Sequence, residues 1–188
     1  SMGKIPARVD ELGVDLLSAA GHKIYAPKGI GALYISDGIE PTVFCHGAGQ
    51  ENGRRAGTEN VLEIVGLGKA CEIADRGLVG HAEHMKAMRD RLEAGLTEAL
   101  TEVRFNGHRE KRLPNTLSLS FRGVEANALL AEVGEQVAAS AGAACHADEV
   151  EVSAVLEAMG VPPEFAMGTI RLSTGRMTTS VDGGQQAT

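Results

Sequence analysis

Gly21-His22-Lys23-Ile24-Tyr25-Ala26-Pro27-Lys28-Gly29-Ile30-Gly31 joins two apolar runs, Val14 to Ala20 and Ile30 to Ile35. Short apolar runs separated by proline and glycine predict a hairpin-like pair of buried strands. Lys23 falls where the first strand turns over. Burial or a neighbouring cation there would lower its pKa and free the amine for Schiff-base chemistry. The plainer alternative is a surface turn with a solvated lysine and a satisfied histidine.

Downstream of the hairpin, Pro41 to Gly57 carries Cys45, His46, Gly47, Gly49, Gly53, Arg54, Arg55 and Gly57. That glycine density predicts a loop, and loops often carry function. Thr58 is placed as the N-cap of a helix running to about Ala74. A second, amphipathic helix is expected from His81 to about Thr101, with Met85, Met88, Leu92, Leu96 and Leu100 on its apolar stripe. Strands are expected at Val103 to Phe105, Thr116 to Phe121, Val137 to Ser140 and Thr169 to Ser173. Helices are expected at Glu125 to Val133 and Ser153 to Met159, with a short one beyond Pro162-Pro163. This alternation predicts an α/β fold, and Asp182 to Thr188 reads as a disordered tail.

The 188 residues are 43% apolar and 23% charged, which suits a globular chain with one substantial core or two small lobes. A formal charge of −7 argues against a nucleic-acid or anionic-membrane surface. No apolar stretch is long enough to cross a bilayer, and Ser1-Met2-Gly3-Lys4 lacks a signal peptide's apolar middle. Ser1-Met2 reads as a tag remnant. Three cysteines, Cys45, Cys71 and Cys145, without a CxxC pair fit a reducing compartment, so the expected location is cytoplasmic.

Three further groups could carry chemistry. Arg54 and Arg55 precede a helix N-terminus where amides and the Thr58 hydroxyl could receive a phosphate or carboxylate, or could serve simple capping. Ala141-Gly142-Ala143-Ala144-Cys145-His146 sets one thiol among small residues, which suits either a mobile nucleophilic loop or an inert core cysteine. Arg171 and Arg176 flank Leu172-Ser173-Thr174-Gly175, where a guanidinium could hold a substrate carboxylate or join an ordinary ion pair. Cys45-His46, Cys145-His146, His81 and His84 lack the spacing of a local zinc motif, so no metal is expected. Gly47 to Gly53 also misses the spacing of a dinucleotide loop.

In this order, Gly21 to Tyr34, Gly47-Ala48-Gly49-Gln50-Glu51, Arg55-Ala56-Gly57-Thr58-Glu59-Asn60, Gly142-Ala143-Ala144-Cys145 and Ile170 to Arg176 resemble the cysteine desulfurase and selenocysteine lyase family. The resemblance runs from about Lys4 to Thr179. It implies a class V aminotransferase fold using pyridoxal 5′-phosphate, with L-cysteine or L-selenocysteine as substrate and alanine as product. Lys23 would carry the cofactor, His22 would contact its phosphate, and Thr58 would reach the phosphate of the partner subunit in a homodimer. Arg171, with Arg55, would bind the substrate carboxylate. Cys145 would take the sulfur as a persulfide, available to a sulfur-acceptor protein.

The resemblance also implies that the chain is the C-terminal half of such a fold. Residues 1–60 would close the cofactor domain, 61–180 would form a small α/β domain, and 181–188 a tail. The family's pyridine-nitrogen aspartate, ring-stacking histidine and glycine-threonine phosphate loop have no counterpart here, and Ala20 stands where many members have serine. Weak or no activity is therefore expected of the chain by itself, unless it pairs with a missing N-terminal half. The alternative is a non-catalytic dimerising or sulfur-accepting module.

Overall fold

The computed structural model describes the backbone of residues 1–142, 144–146 and 149–180, and the side chains of these except at 144–146 and 149–151. The expected tail beyond residue 180 lies outside the described residues. The chain divides into two compact units, Ser1–Val79 and Gly80–Thr188.

In the first unit, a short helix α1 (Val9–Leu12) leads into strand β1 (Leu16–Ala20), a 3₁₀ turn (Gly21–Ile24) and strand β2 (Gly31–Ile35). The strands pair antiparallel, from Leu16 opposite Ile35 to Ala20 opposite Gly31, which is the expected hairpin, but the expected burial is not found: no residue of either strand is buried, and Leu16, Leu33 and Tyr34 are exposed. Its turn is closed by bonds from the Gly21 amide to the Ile30 carbonyl at 2.9 Å and from the Ala26 amide to the Gly21 carbonyl at 3.0 Å. A β-carbon on Gly21 would meet the Ile30 carbonyl oxygen at 2.9 Å, so the close approach requires glycine. Ile24 is buried in the same turn.

The loop that follows contains a short turn, α2 (Gln50–Gly53), in which Glu51 and Asn52 have left-handed backbone angles, and ends at helix α3 (Val61–Arg76). The N-cap of α3 is Asn60, whose side-chain oxygen accepts from the Glu63 amide at 3.4 Å. This corrects the expected cap at Thr58: Asn60 has the right offset to reach an orphan amide of the first turn. Helix α3 lies against the 3₁₀ turn. The first unit therefore extends through Val79, beyond the division expected near residue 60.

The second unit takes up most of α4 (Leu78–Ala99), followed by β3 (Val103–Phe105), β4 (Thr116–Phe121), α5 (Ala126–Val133), β5 (Ser140–Ala141), β6 (Ala144–His146), β7 (Glu149–Glu151), α6 (Ala154–Ala158), α7 (Pro163–Ala166) and β8 (Thr169–Ser173). A four-stranded antiparallel sheet runs β3-β4-β8-β5, and β6 pairs with β7 separately. The strand expected over Val137 to Ser140 is shorter and later. The Gln136 and Val137 amides both donate to the Val133 carbonyl, so the end of α5 takes up those residues and leaves only Ser140–Ala141 to pair with β8.

One core of this unit gathers Leu92 of α4 with Leu117 and Leu119 of β4, and partly buried Leu96, Val103, Phe105, Phe121 and Leu172 pack around it. A smaller cluster joins Leu156, Val161 and Ala166. The alternation of β4 thus turns Leu117 and Leu119 onto the amphipathic stripe of α4, the arrangement expected of a helix packed on a sheet. Polar residues tie the edges. Buried Arg89 donates to Asp90 Oδ1 at 2.5 Å and to the Leu113 carbonyl at 3.1 Å, and Ser120 bonds Thr169 at 2.7 Å inside the sheet.

Candidate functional site

In the first unit, the hairpin and its turn position Lys23. Its side chain is exposed, and its carbonyl accepts from Lys4 Nζ at 3.2 Å. A cavity of about 270 Å³ opens there, lined by Leu17, Ser18, Ala20, Lys23 and Ile24 among others. Burial pushes the Lys4 ammonium below its ordinary range, and the charge of Lys23 pushes it further the same way. Lys4 carried no signal in the sequence. Its place beside Lys23 is a product of the chain folding back along β1.

His22 shares the 3₁₀ turn with Lys23 and is exposed. Ala20, on the same strand face as Ser18, offers only a methyl group to the cavity. The residues present fit a small aldehyde cofactor in one respect, an accessible primary amine at a cavity mouth with a hydroxyl in the wall. Among the described residues, Lys23 forms no ion pair.

Thr58 is exposed, and neither its amide nor its hydroxyl has a partner among the described residues. Arg55, expected to bind the substrate carboxylate with Arg171, is half-buried in its loop. Its Nε donates to Glu51 Oε1 at 2.7 Å and its Nη1 to the Gly57 carbonyl at 2.6 Å, so the guanidinium is engaged within its own loop. Gln50 joins the same network, its Oε1 accepting from the Gly57 amide at 3.1 Å. The opposite charges of Glu51 and Arg55, four residues apart, were the one sequence signal for this pairing.

In the second unit, Arg171 is exposed on β8 in register with Ser140 of β5, and its Nη2 lies 3.4 Å from Ser140 Oγ. The segment bearing Cys145 leaves from β5, so it starts beside the strand that carries Arg171. Cys145 itself pairs through its backbone with Val150; its side chain lies outside the described residues. The segment after Arg171 is anchored to α4. Thr174 Oγ1 donates to the Met85 carbonyl at 3.0 Å, His84 Nε2 lies 2.8 Å from the Thr178 carbonyl, and Asn115 Nδ2 donates to the Thr174 carbonyl at 3.2 Å. No group of three or more His, Cys, Asp or Glu among the described residues could hold a metal ion, and no helix there is long and apolar enough to cross a membrane.

Known proteins share both the sequence and the architecture. The chain is 45% identical over 183 residues to a cysteine desulfurase IscS of Dictyoglomus turgidum, covering 97% of this chain and 46% of that protein. It is 44% identical to a cysteine desulfurase IscS of Methanosarcina thermophila, covering 97% and 45%. A NifS-like protein from Rickettsia africae superposes with a TM-score of 0.89 at 31% identity, over 99% of this chain and 49% of that one. Another NifS-like protein gives 0.86 at 36% identity, over 98% and 47%. The chain spans about half the length of the curated relatives it matches. The sequence model of the aminotransferase class-V family matches residues 1–182, and the chain belongs to that family.

Proposed function

We propose that this chain contributes the lysine-bearing and cysteine-bearing parts of a pyridoxal 5′-phosphate enzyme that removes sulfur, or selenium, from L-cysteine or L-selenocysteine. The observation that carries the reading is Lys23, an accessible amine on a rigid 3₁₀ turn at the mouth of a cavity of about 270 Å³. The relatives named cysteine desulfurase support it. The cofactor, when bound, would supply an electron-withdrawing ring. Lys23 would hold it covalently, with His22 meeting its phosphate and Thr58 reaching across a homodimer to the phosphate held by the partner subunit.

The remaining work falls to this chain's own groups. Arg171 stands exposed on β8, between β4 and β5, and its guanidinium, hydrogen-bonded among the described residues only to Ser140 Oγ, could pair a substrate carboxylate through two N–H groups. Cys145, as thiolate, would attack the substrate sulfur. The S–S bond forms as the C–S bond breaks, the carbon keeps that bond's electron pair and takes a proton, and alanine leaves with a persulfide on Cys145. The segment from β5 would carry that persulfide to an acceptor.

In a second reading the chain acts as a dimerising or sulfur-accepting module through Cys145 without turnover of its own. One experiment separates the two. Borohydride reduction after incubation with pyridoxal 5′-phosphate, followed by peptide mass spectrometry, is expected to place the cofactor on Lys23. A persulfide at Cys145 formed from L-cysteine only when the cofactor is present supports the enzyme reading. Label on other lysines and not on Lys23 overturns it, and persulfide transfer from a sulfur donor without cofactor supports the module.

A further inference from the structure

The loop between the hairpin and α3 is built around two residues in a conformation that side chains disfavour. Glu51 has φ 51° and Asn52 has φ 60°, consecutive left-handed positions occupied by neither glycine. Asparagine tolerates this region, and glycine adopts it freely. A glutamate there is not explained by turn-making. Strain of this kind, held by surrounding contacts, points toward a functional demand on the loop.

What the strain secures is the direction of the Glu51 carboxylate. Oε1 takes the Arg55 Nε at 2.7 Å, and the same guanidinium closes through Nη1 on the Gly57 carbonyl at 2.6 Å. The loop's two arms are also joined by bonds from the Arg55 amide to the Gln50 carbonyl at 3.4 Å and from the Ala56 amide to the Cys45 carbonyl at 3.0 Å. Gln50 Oε1 takes the Gly57 amide at 3.1 Å. Both sides of Gly57 are therefore fixed by side chains.

A trans peptide is planar, so holding the Gly57 carbonyl fixes the Thr58 N–H in the opposite direction. That N–H points away from the guanidinium, and the Thr58 hydroxyl beside it is also without a partner among the described residues. We propose that Glu51 is a positioning residue for phosphate recognition: by engaging Arg55 it sets the Gly57-Thr58 peptide so that the Thr58 amide and hydroxyl receive a phosphate monoester. The proposal rests on the reading of Thr58 as a contact, across a homodimer, to the cofactor phosphate of the partner subunit. It gives Arg55 the task of shaping the loop and leaves the substrate carboxylate to Arg171.

Equilibrium dialysis of the full chain with pyridoxal 5′-phosphate and with pyridoxal tests this. The wild-type chain is expected to prefer the phosphorylated form. Glu51→Ala is expected to weaken pyridoxal 5′-phosphate about tenfold, the effect of one lost charge-assisted hydrogen bond. Pyridoxal affinity should stay unchanged, and Glu51→Gln, which keeps an acceptor for Arg55, should recover part of the loss. A merely structural role would weaken both ligands together. Equal weakening, no weakening, or a wild-type chain without phosphate preference overturns the proposal. Lys23→Ala separates the underlying reading. Unchanged binding of both ligands in that variant overturns the lysine assignment, while the phosphate preference still decides Glu51.

Discussion

Gly142 donates its amide to the Thr169 carbonyl at 2.6 Å, and a β-carbon on Gly142 would stand 2.5 Å from Thr169 Cγ2. The start of the cysteine segment is thereby pressed onto the first residue of β8. Thr169 is fully buried and bonded to Ser120, so it has nowhere to yield. Gly142→Ala is expected to cost about 1–3 kcal/mol through overpacking, measured by denaturant titration, and to shift the backbone amide signals of β5 and β8. A stability within error of the parent would show that the segment can lift away freely.

Leu119 is expected to be the most sensitive aliphatic position of the sheet. It is 0% exposed and packs with Leu92 and Leu117 in the core of the second unit. Leu119→Ala should cost about 2–5 kcal/mol, from lost burial plus the cavity left behind. Equilibrium unfolding of the two proteins reads this directly.

Asp90 gives the second unit an acid-sensitive limb. Burial raises its carboxyl, but hydrogen bonds from Lys86 and Arg89 and their charges outweigh that effect and leave it below its ordinary 3.8. A depressed carboxylate contributes stability that is present above the unfolded value and lost as pH falls through the folded one. Asp90→Asn should therefore be less stable than the parent at neutral pH, with the gap closing below pH 3.8. Thermal melts across the acid range check the convergence.

Lys4 gives a slope of the same sign at the alkaline end. Burial first, and Lys23 second, hold its ammonium below the ordinary 10.5. The unfolded chain then binds more protons in the window just below 10.5, so stability rises with pH there. Lys4→Met should flatten that rise, and melts of the two proteins through the alkaline range should show slopes that differ in that window and just below 8.0, where the Lys4 charge also lowers the Ser1 ammonium.

Arg171 is exposed, with one long contact to Ser140. Arg171→Ala should change stability by no more than about 0.5 kcal/mol. L-Cysteine binding to the cofactor-loaded protein, followed by calorimetry, should nevertheless weaken by about tenfold or more, since a two-pronged guanidinium contact is lost. Unchanged binding would move the carboxylate contact elsewhere.

The elements legible from sequence were those whose pattern is local. Strands at Val103–Phe105, Thr116–Phe121 and Thr169–Ser173 show apolar or alternating runs bounded by breakers, and they form where expected. The hairpin around Lys23 follows from its glycine and proline punctuation. Boundaries failed where side chains compete for backbone groups: Asn60 took the cap expected of Thr58, and the Val133 carbonyl drew in Gln136 and Val137 at the expense of a longer β5.

The sequence by itself determined the family and the order of the segments, and it singled out Lys23 and Cys145 as the amine and thiol of the proposed chemistry, because those depend on residue types at fixed spacing along the chain. Tertiary structure decided what each polar group has left to offer. Arg55 looks free in a linear reading, yet the left-handed turn at Glu51 and Asn52 brings a carboxylate to its Nε and the Gly57 carbonyl to its Nη1. Lys4 looks remote from Lys23, yet folding sets its ammonium against the Lys23 carbonyl. A hydrogen bond is short and directional, so whether a group is spent or available is fixed only once the backbone has brought its partners within about 3 Å.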